Sequence, residues 1–271
     1  MLWNLMRVSA PLLLASIGAL VSEYAGAMAI FPEGAINLSA FLFVVFITYT
    51  KNAFLAFFLS VCCSCLPVFL LALYAEKRRA DIFLLGLAFN LFSAGITSIL
   101  SSFLFGTNGV VEMPAAFEMP ASLGAVYAAS AWLLAVVFIV LFEKSALGLK
   151  IKFAGSGADA LRINGISVSK LRICSWLFAA FFSSAAGVIM ALRLQAFVPN
   201  ISSGKGWLAL VAVFLGKKNF AGVIAAVLLF SALELAGISL QGLLGISPTV
   251  LLSLPYIVVL VVFVIIPSGK K

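Results

Sequence analysis

Residues Pro199 to Phe220 read PNISSGKGWLALVAVFLGKKNF, and this stretch decides what kind of fold the chain adopts. The opening PNISSGKG is rich in residues that lipid does not tolerate, the apolar run behind it is short, and Gly216-Lys217-Lys218 closes it. A helix needs roughly 20 apolar residues to cross a hydrocarbon core. This run is too short to be a plain span. Non-helical backbone at membrane depth is tolerated only where protein covers it or where it lines a watery cavity. The stretch therefore predicts a broken or re-entrant element beside a pathway.

Its surroundings make the membrane setting certain. Of 271 residues, 64% are hydrophobic and only 10% charged, with a mean hydropathy of +1.24; a soluble domain is about 45–50% apolar and about 25% charged. Runs at Ala53 to Tyr74, Ile82 to Leu104, Ser122 to Phe142 and Thr249 to Ile266 reach or approach spanning length and lack the polar alternation of barrel strands. The first 25 residues resemble a secretory leader, but more membrane sequence follows, so they read as a span. The expectation is an all-α, polytopic helical bundle forming one domain over residues 1–271.

A second interrupted piece, Glu23 to Leu38, reads EYAGAMAIFPEGAINL. If both interrupted pieces cross, the total is ten spans; if one or both re-enter, it is about eight. Paired interruptions in the two halves of a transporter point to its substrate path. Basic residues cluster at Glu76 to Arg79, in the loop Glu143 to Arg172, at Lys217-Lys218 and at Lys270-Lys271, whereas Gly106 to Pro120 carries Glu112 and Glu118 and no basic residue. By the excess of Lys and Arg in cytoplasmic loops, the clusters lie inside and Gly106 to Pro120 outside. Placing both termini inside puts fourteen of the seventeen basic residues on the cytoplasmic side, with Lys51, Arg193 and Lys205 as exceptions. The net charge of +8 thus reports orientation and not nucleic acid.

Cys62, Cys63, Cys65 and Cys174 all lie in apolar segments and there is no His, so a metal or disulfide site is a poor reading. No G-x-x-x-x-G-K-[ST] phosphate loop is present, nor any set of residues resembling a catalytic centre; no cofactor is expected and the chain does not read as an enzyme. In the loop of residues 144–172, Gly155 and Gly157 break the chain, Ala158 to Arg162 favours helix, and Asn164-Gly165 ends it with a left-handed cap. Such a segment either merely fixes topology or presents a rigid knob to a partner.

These residues carry a resemblance. GLKIKFAGSGADALRINGISVSKLR is similar to the cytoplasmic coupling segment of permease subunits in ATP-binding-cassette importers of the nucleoside, pentose and branched-chain amino acid group. FVPNISSGKGWLALVAVFLGKKNFAGVIAA, DIFLLGLAFNLFSAGITSILSSFLFG and PLLLASIGALVSEYAG resemble three further segments of that family, in the family's order, and the likeness is strongest to nucleoside permeases. The first broken element departs from the pattern, with Ala29, Phe31 and Pro32 before Glu33-Gly34. A bulkier lining there would suit the larger ring system of riboflavin; sugars and branched-chain amino acids are further alternatives.

The resemblance implies a substrate pathway at Glu33, Gly34, Asn37, Asn90, Asn200, Ser202, Ser203, Lys205 and Gly206. It implies coupling to a cytoplasmic ATPase through Gly155, Ala158, Asp159, Ala160, Leu161, Asn164 and Gly165. The implied partners are that ATPase, a second permease subunit, a solute-binding lipoprotein outside, and membrane lipid. Asn90 reads equally as an interhelical tie, and Glu33 and Lys205 as anchors at the outer interface. Backbone N–H groups at Gly204 to Trp207, with Lys205, form a positive pole suited to an oxygen-rich solute. The rival from another class is an ion-gradient-driven transporter with Glu23, Glu33 or Glu234 as proton carrier.

Overall fold

The computed structural model describes residues 2–114 and 123–244. Ten helices and two short strands are described: α1 Leu2–Tyr24, α2 Pro32–Thr50, α3 Ala53–Arg78, α4 Ile82–Phe105, β1 Val111–Glu112, α5 Leu123–Lys144, α6 Ala146–Ser156, α7 Ala158–Ile163, α8 Val168–Leu194, β2 Ala196–Phe197, α9 Lys205–Leu215 and α10 Phe220–Leu244. Seven of these helices are long and apolar enough to cross a membrane, and α9 is a shorter apolar helix. The fold is an all-α polytopic bundle. The expected span at Thr249 to Ile266 and the basic pair Lys270-Lys271 lie outside the described residues.

Local chemistry sets the boundaries. Asn52 caps α3 by accepting from the Phe54 and Leu55 amides at 3.0 and 3.1 Å, and Asp81 caps α4 by accepting from Phe83 N at 2.8 Å. Lys77 and Arg78 occupy the last turn of α3, where cations suit the negative end of the helix dipole. Pro32 opens α2 at a first-turn position, where its missing N–H costs nothing.

Burial sorts the helices into two layers. The spanning windows of α1, α2 and α8 are 83%, 67% and 67% buried, whereas those of α3, α4 and α5 are 28%, 22% and 22%. The inner three are joined by small and hydroxyl residues, which let helices approach closely in a membrane. Gly18 of α1 lies against Ala179 of α8, Ser39 Oγ of α2 donates to Ser184 O of α8 at 2.9 Å, and the Ser184 hydroxyl reaches on to Ser64 Oγ of the outer helix α3 at 3.0 Å. The outer helices turn Phe58, Leu70, Leu84, Leu91, Phe103 and Leu133 outward, as lipid-facing helices do.

Helix α1 settles how the faces are arranged. Near its start Trp132 Nε1 donates to Met6 O at 3.2 Å, and at its end Tyr24 stacks on Phe142, so α1 and α5 run parallel. The α1 C-terminal end carries Glu23, paired with Lys218 at 2.6 Å, and Tyr24, beneath the Lys152 ammonium. Helix α1 thus ends on the basic face, and at about 1.5 Å per residue it begins on the opposite one. Arg7 thus lies with Lys51 and Arg193 on the face opposite the basic loops. The charge count leaves that end undecided, because six of the fourteen residues assigned to one side come from a single loop and moving one arginine hardly alters the excess.

Two further expectations are refined. Glu23 to Leu38 is not a short re-entrant piece; α1 ends, residues 25–31 run non-helically back into the bundle, and the full-length α2 starts at Pro32. The loop after Glu143 holds two helices, α6 and α7, where one was expected. A two-residue antiparallel pairing of β1 with β2 matches Val111 to Phe197 and Glu112 to Ala196, fastening the α4–α5 connection to the end of α8.

Candidate functional site

The two broken elements meet. Glu33, in the first turn of α2, directs its carboxylate onto the N-terminus of α9: Oε1 accepts from Gly204 N at 2.8 Å and from the Ser202 hydroxyl at 2.7 Å, and Oε2 accepts from Gly206 N at 2.8 Å. One carboxylate therefore sits at the positive ends of two helices at once. The approach needs glycine at 206, since a Cβ there would collide with the backbone of Glu33. The turn that delivers α9 uses left-handed backbone at Asn200 (φ 57°), Ser203 (φ 45°) and Gly204 (φ 82°), conformations for which Asn and Gly are best suited.

Lys205, only 8% exposed, makes a bidentate ion pair with Glu234 on α10, at 2.9 Å to Oε1 and 2.8 Å to Oε2. The sequence reading left the α9 N–H groups and Lys205 free for a solute. Glu33 takes the N–H groups of Gly204 and Gly206, Ser202 O takes that of Lys205, and Glu234 takes the Lys205 ammonium. Asn90, on α4, accepts from Gly34 N at 2.8 Å and donates to Ile30 O at 3.0 Å; both ends of its amide tie α4 to the break before α2. Ser93 extends the tie by donating to Gly34 O at 2.7 Å.

Beside this junction lies a cavity of about 220 Å³ between α2, α4 and the turn after β2. Among the expected pathway residues it brings together Asn37 and Asn200, and it adds Thr97, Ser98, Ser101 and Asn108, which sequence reasoning missed. The signal was available: Ser93, Thr97 and Ser101 recur every four residues on one face of α4. Glu33, Gly34, Asn90, Ser202, Lys205 and Gly206 form the framework next to the cavity and not its lining. Phe31, whose bulk suggested a larger ring, is fully buried against Phe89 and Trp176 and does not line the cavity.

On the basic face, α7 is a projecting knob. Leu161 packs with Ala154 and Val168 beneath it, while Asp159, Ala160, Arg162 and Ile163 point outward, Ile163 being 86% exposed. Asp159 and Arg162 pair at 3.1 Å. Asn164 Nδ2 donates to Ala160 O at 2.8 Å, and Gly165 takes φ 71° as the left-handed terminator. Gly155 seats the knob: a Cβ would collide with the Tyr24 carbonyl at the end of α1. Next to α7 opens a cleft lined by Glu76, Arg79, Arg162, Ser167 and Arg172. Glu23, Glu33 and Glu234, the carboxylates considered as proton carriers, are each held by a partner: Lys218, the α9 N-terminus and Lys205.

The chain is 28% identical over 276 residues to the guanosine ABC transporter permease protein NupQ of Bacillus subtilis, covering 92% of this chain and 86% of that one. It is 25% identical to the nucleoside ABC transporter permease protein NupC of Lactococcus lactis, covering 96% of this chain and 89% of that one. Among solved structures, PsaBC from Streptococcus pneumoniae in complex with Fab shares the fold, with a TM-score of 0.57 at 9% identity over 96% of this chain and 88% of that one. The family model described as "Branched-chain amino acid transport system / permease component" matches residues 1–267. The chain therefore belongs to that family of ABC transporter permeases, which are not enzymes.

Proposed function

We propose that this permease forms one half of the translocation path of an importer for nucleosides, energised by a separate ATPase. The carrying observation is that similarity to a guanosine and a nucleoside permease runs along nearly the whole chain. The meeting of the two broken elements beside a polar cavity supports a solute route there, with Glu33, Gly34, Asn90, Ser202, Ser203, Lys205 and Gly206 as its framework and Asn37 and Asn200 as lining. The basic face is cytoplasmic by the positive-inside rule, which puts the start of α1 outside.

In this reading the ATPase receives α7, with Gly155 and Asn164-Gly165 fixing its seat and its end. A second permease subunit completes the path, and a solute-binding lipoprotein delivers cargo from outside. The three carboxylates held by partners favour this over a proton-driven carrier.

Competition for uptake tests the substrate. In cells expressing the chain with its ATPase and receptor, labelled guanosine uptake should be displaced by unlabelled nucleosides and not by riboflavin, glucose or leucine. Displacement by one of those three instead would reassign the cargo.

A further inference from the structure

We propose that the amide oxygen of Asn37 is a selectivity element that reads a hydrogen-bond donor on the passing solute, foremost an N–H of a flat ring. This deepens the nucleoside reading and rests on it. Asn37 is 5% exposed and lines the cavity between α2 and α4, yet its Oδ1 has no hydrogen-bond partner among the described residues. Which end of the amide is unmatched follows from its neighbour. Thr97 Oγ1 lies 2.8 Å from Ser93 O and 3.1 Å from Ala94 O, both of which can only accept, so its single proton goes to one of them. Only lone pairs remain to face Asn37, whose Nδ2 donates to Thr97 at 3.2 Å. The oxygen is therefore the end that points to an absent partner.

A buried acceptor without a donor bears the full desolvation penalty of its carbonyl. It persists where a ligand or water supplies the missing donor. The cavity has room for more than water, and its other walls suit a flat ring bearing polar edges. Phe197, almost wholly buried and at a steep angle to the Phe41 ring, contributes apolar lining, while Ser98, Asn108 and Asn200 supply polar groups around it. A flat base against an apolar wall, with an N–H toward a fixed carbonyl, matches that arrangement. A sugar O–H could satisfy the same oxygen, and the two sources are separable.

The test compares uptake of guanosine, N1-methylguanosine, which lacks the ring N–H, and 2′-deoxyguanosine, which lacks a sugar O–H, in proteoliposomes of the complete transporter. Wild type and Asn37→Leu share one receptor, so any change in their preference belongs to the permease. Wild type should prefer guanosine over the methylated base by about tenfold or more, a modest effect for a site that hydrogen-bonds its substrate. In Asn37→Leu that ratio should fall to within about twofold of one. Loss of the deoxy ratio instead would keep the acceptor and assign the donor to the sugar. Unchanged ratios in Asn37→Leu would mean the oxygen holds only water, and would overturn the proposal while leaving the nucleoside importer intact. Uptake of none of the three by wild type would overturn both. Should Asn37→Leu fail to reach the membrane, Ser98→Leu serves: Ser98 is exposed on α4 and lines the same cavity, so the variant should fold normally and lose uptake of all three, and normal uptake would refute the subsite.

Discussion

Glu33 shows how one side chain can hold two interrupted helices together. An isolated carboxylate at membrane depth costs about 2.5–3.5 kcal/mol on insertion scales; here two backbone N–H groups and a hydroxyl offset that cost. Glu33→Ala leaves those donors unmatched, at roughly 1–3 kcal/mol for an unsatisfied buried group, so the detergent-solubilised protein should melt several degrees lower; an unchanged melting temperature would refute the latch. Gly206→Ala should be worse, because backbone and not a flexible side chain stands where the methyl must go, whereas Gly95→Ala, with open space around it, should be neutral in the same assay. Lys205→Met strands Glu234, and removing one partner of a fully buried pair costs roughly 3–5 kcal/mol, less here because the side chains are 10% and 17% exposed. Lys205→Met with Glu234→Leu should recover much of that loss, a rescue that fails if the pair is incidental. The identity of Glu33 and Lys205 as special residues was legible, because charge is rare in this sequence. Their partners were not, since they lie 171 and 29 positions away along the chain.

At the scale of elements, the short helix α9 and the knob α7 are the two pieces that an ordinary spanning helix could not replace. Pro199 and the glycines around Lys205 announced α9 in the sequence, because a break needs left-handed backbone and no Cβ. Helix α7 was equally legible from Gly157 before it and Asn164-Gly165 after it. Helix α6 escaped notice because Leu149 to Phe153 alternates apolar and basic residues, a pattern with no helical period, and what holds it against α1 is distant in sequence: Gly155 at the Tyr24 carbonyl and Lys152 over the Tyr24 ring. If α7 seats in the ATPase, Ala160→Arg should leave the protein folded in the membrane, since Ala160 is exposed, yet cut uptake by an order of magnitude while ATP hydrolysis continues. Normal uptake would show that the ATPase docks elsewhere.

For the whole molecule, composition alone established a helical membrane bundle, and hydropathy located its long helices. It could not tell which end of α1 faces which side, because orientation depends on pairings such as Tyr24 with Phe142 that no local signal reveals. The structure puts Asn108 and the start of α1 on one face and Ser156 on the other. In a cysteine-free background, cysteines at Trp3 and Asn108 should react with an impermeant reagent from outside and one at Ser156 should not; the reverse pattern would invert the sidedness. The central claim, an ATP-driven permease and not a gradient-driven carrier, is tested most directly by guanosine accumulation in proteoliposomes containing the chain, its ATPase and its receptor. Accumulation should require ATP in the nucleotide compartment, stop with vanadate, and be indifferent to an imposed proton gradient, whereas accumulation driven by the gradient without ATP would contradict the account.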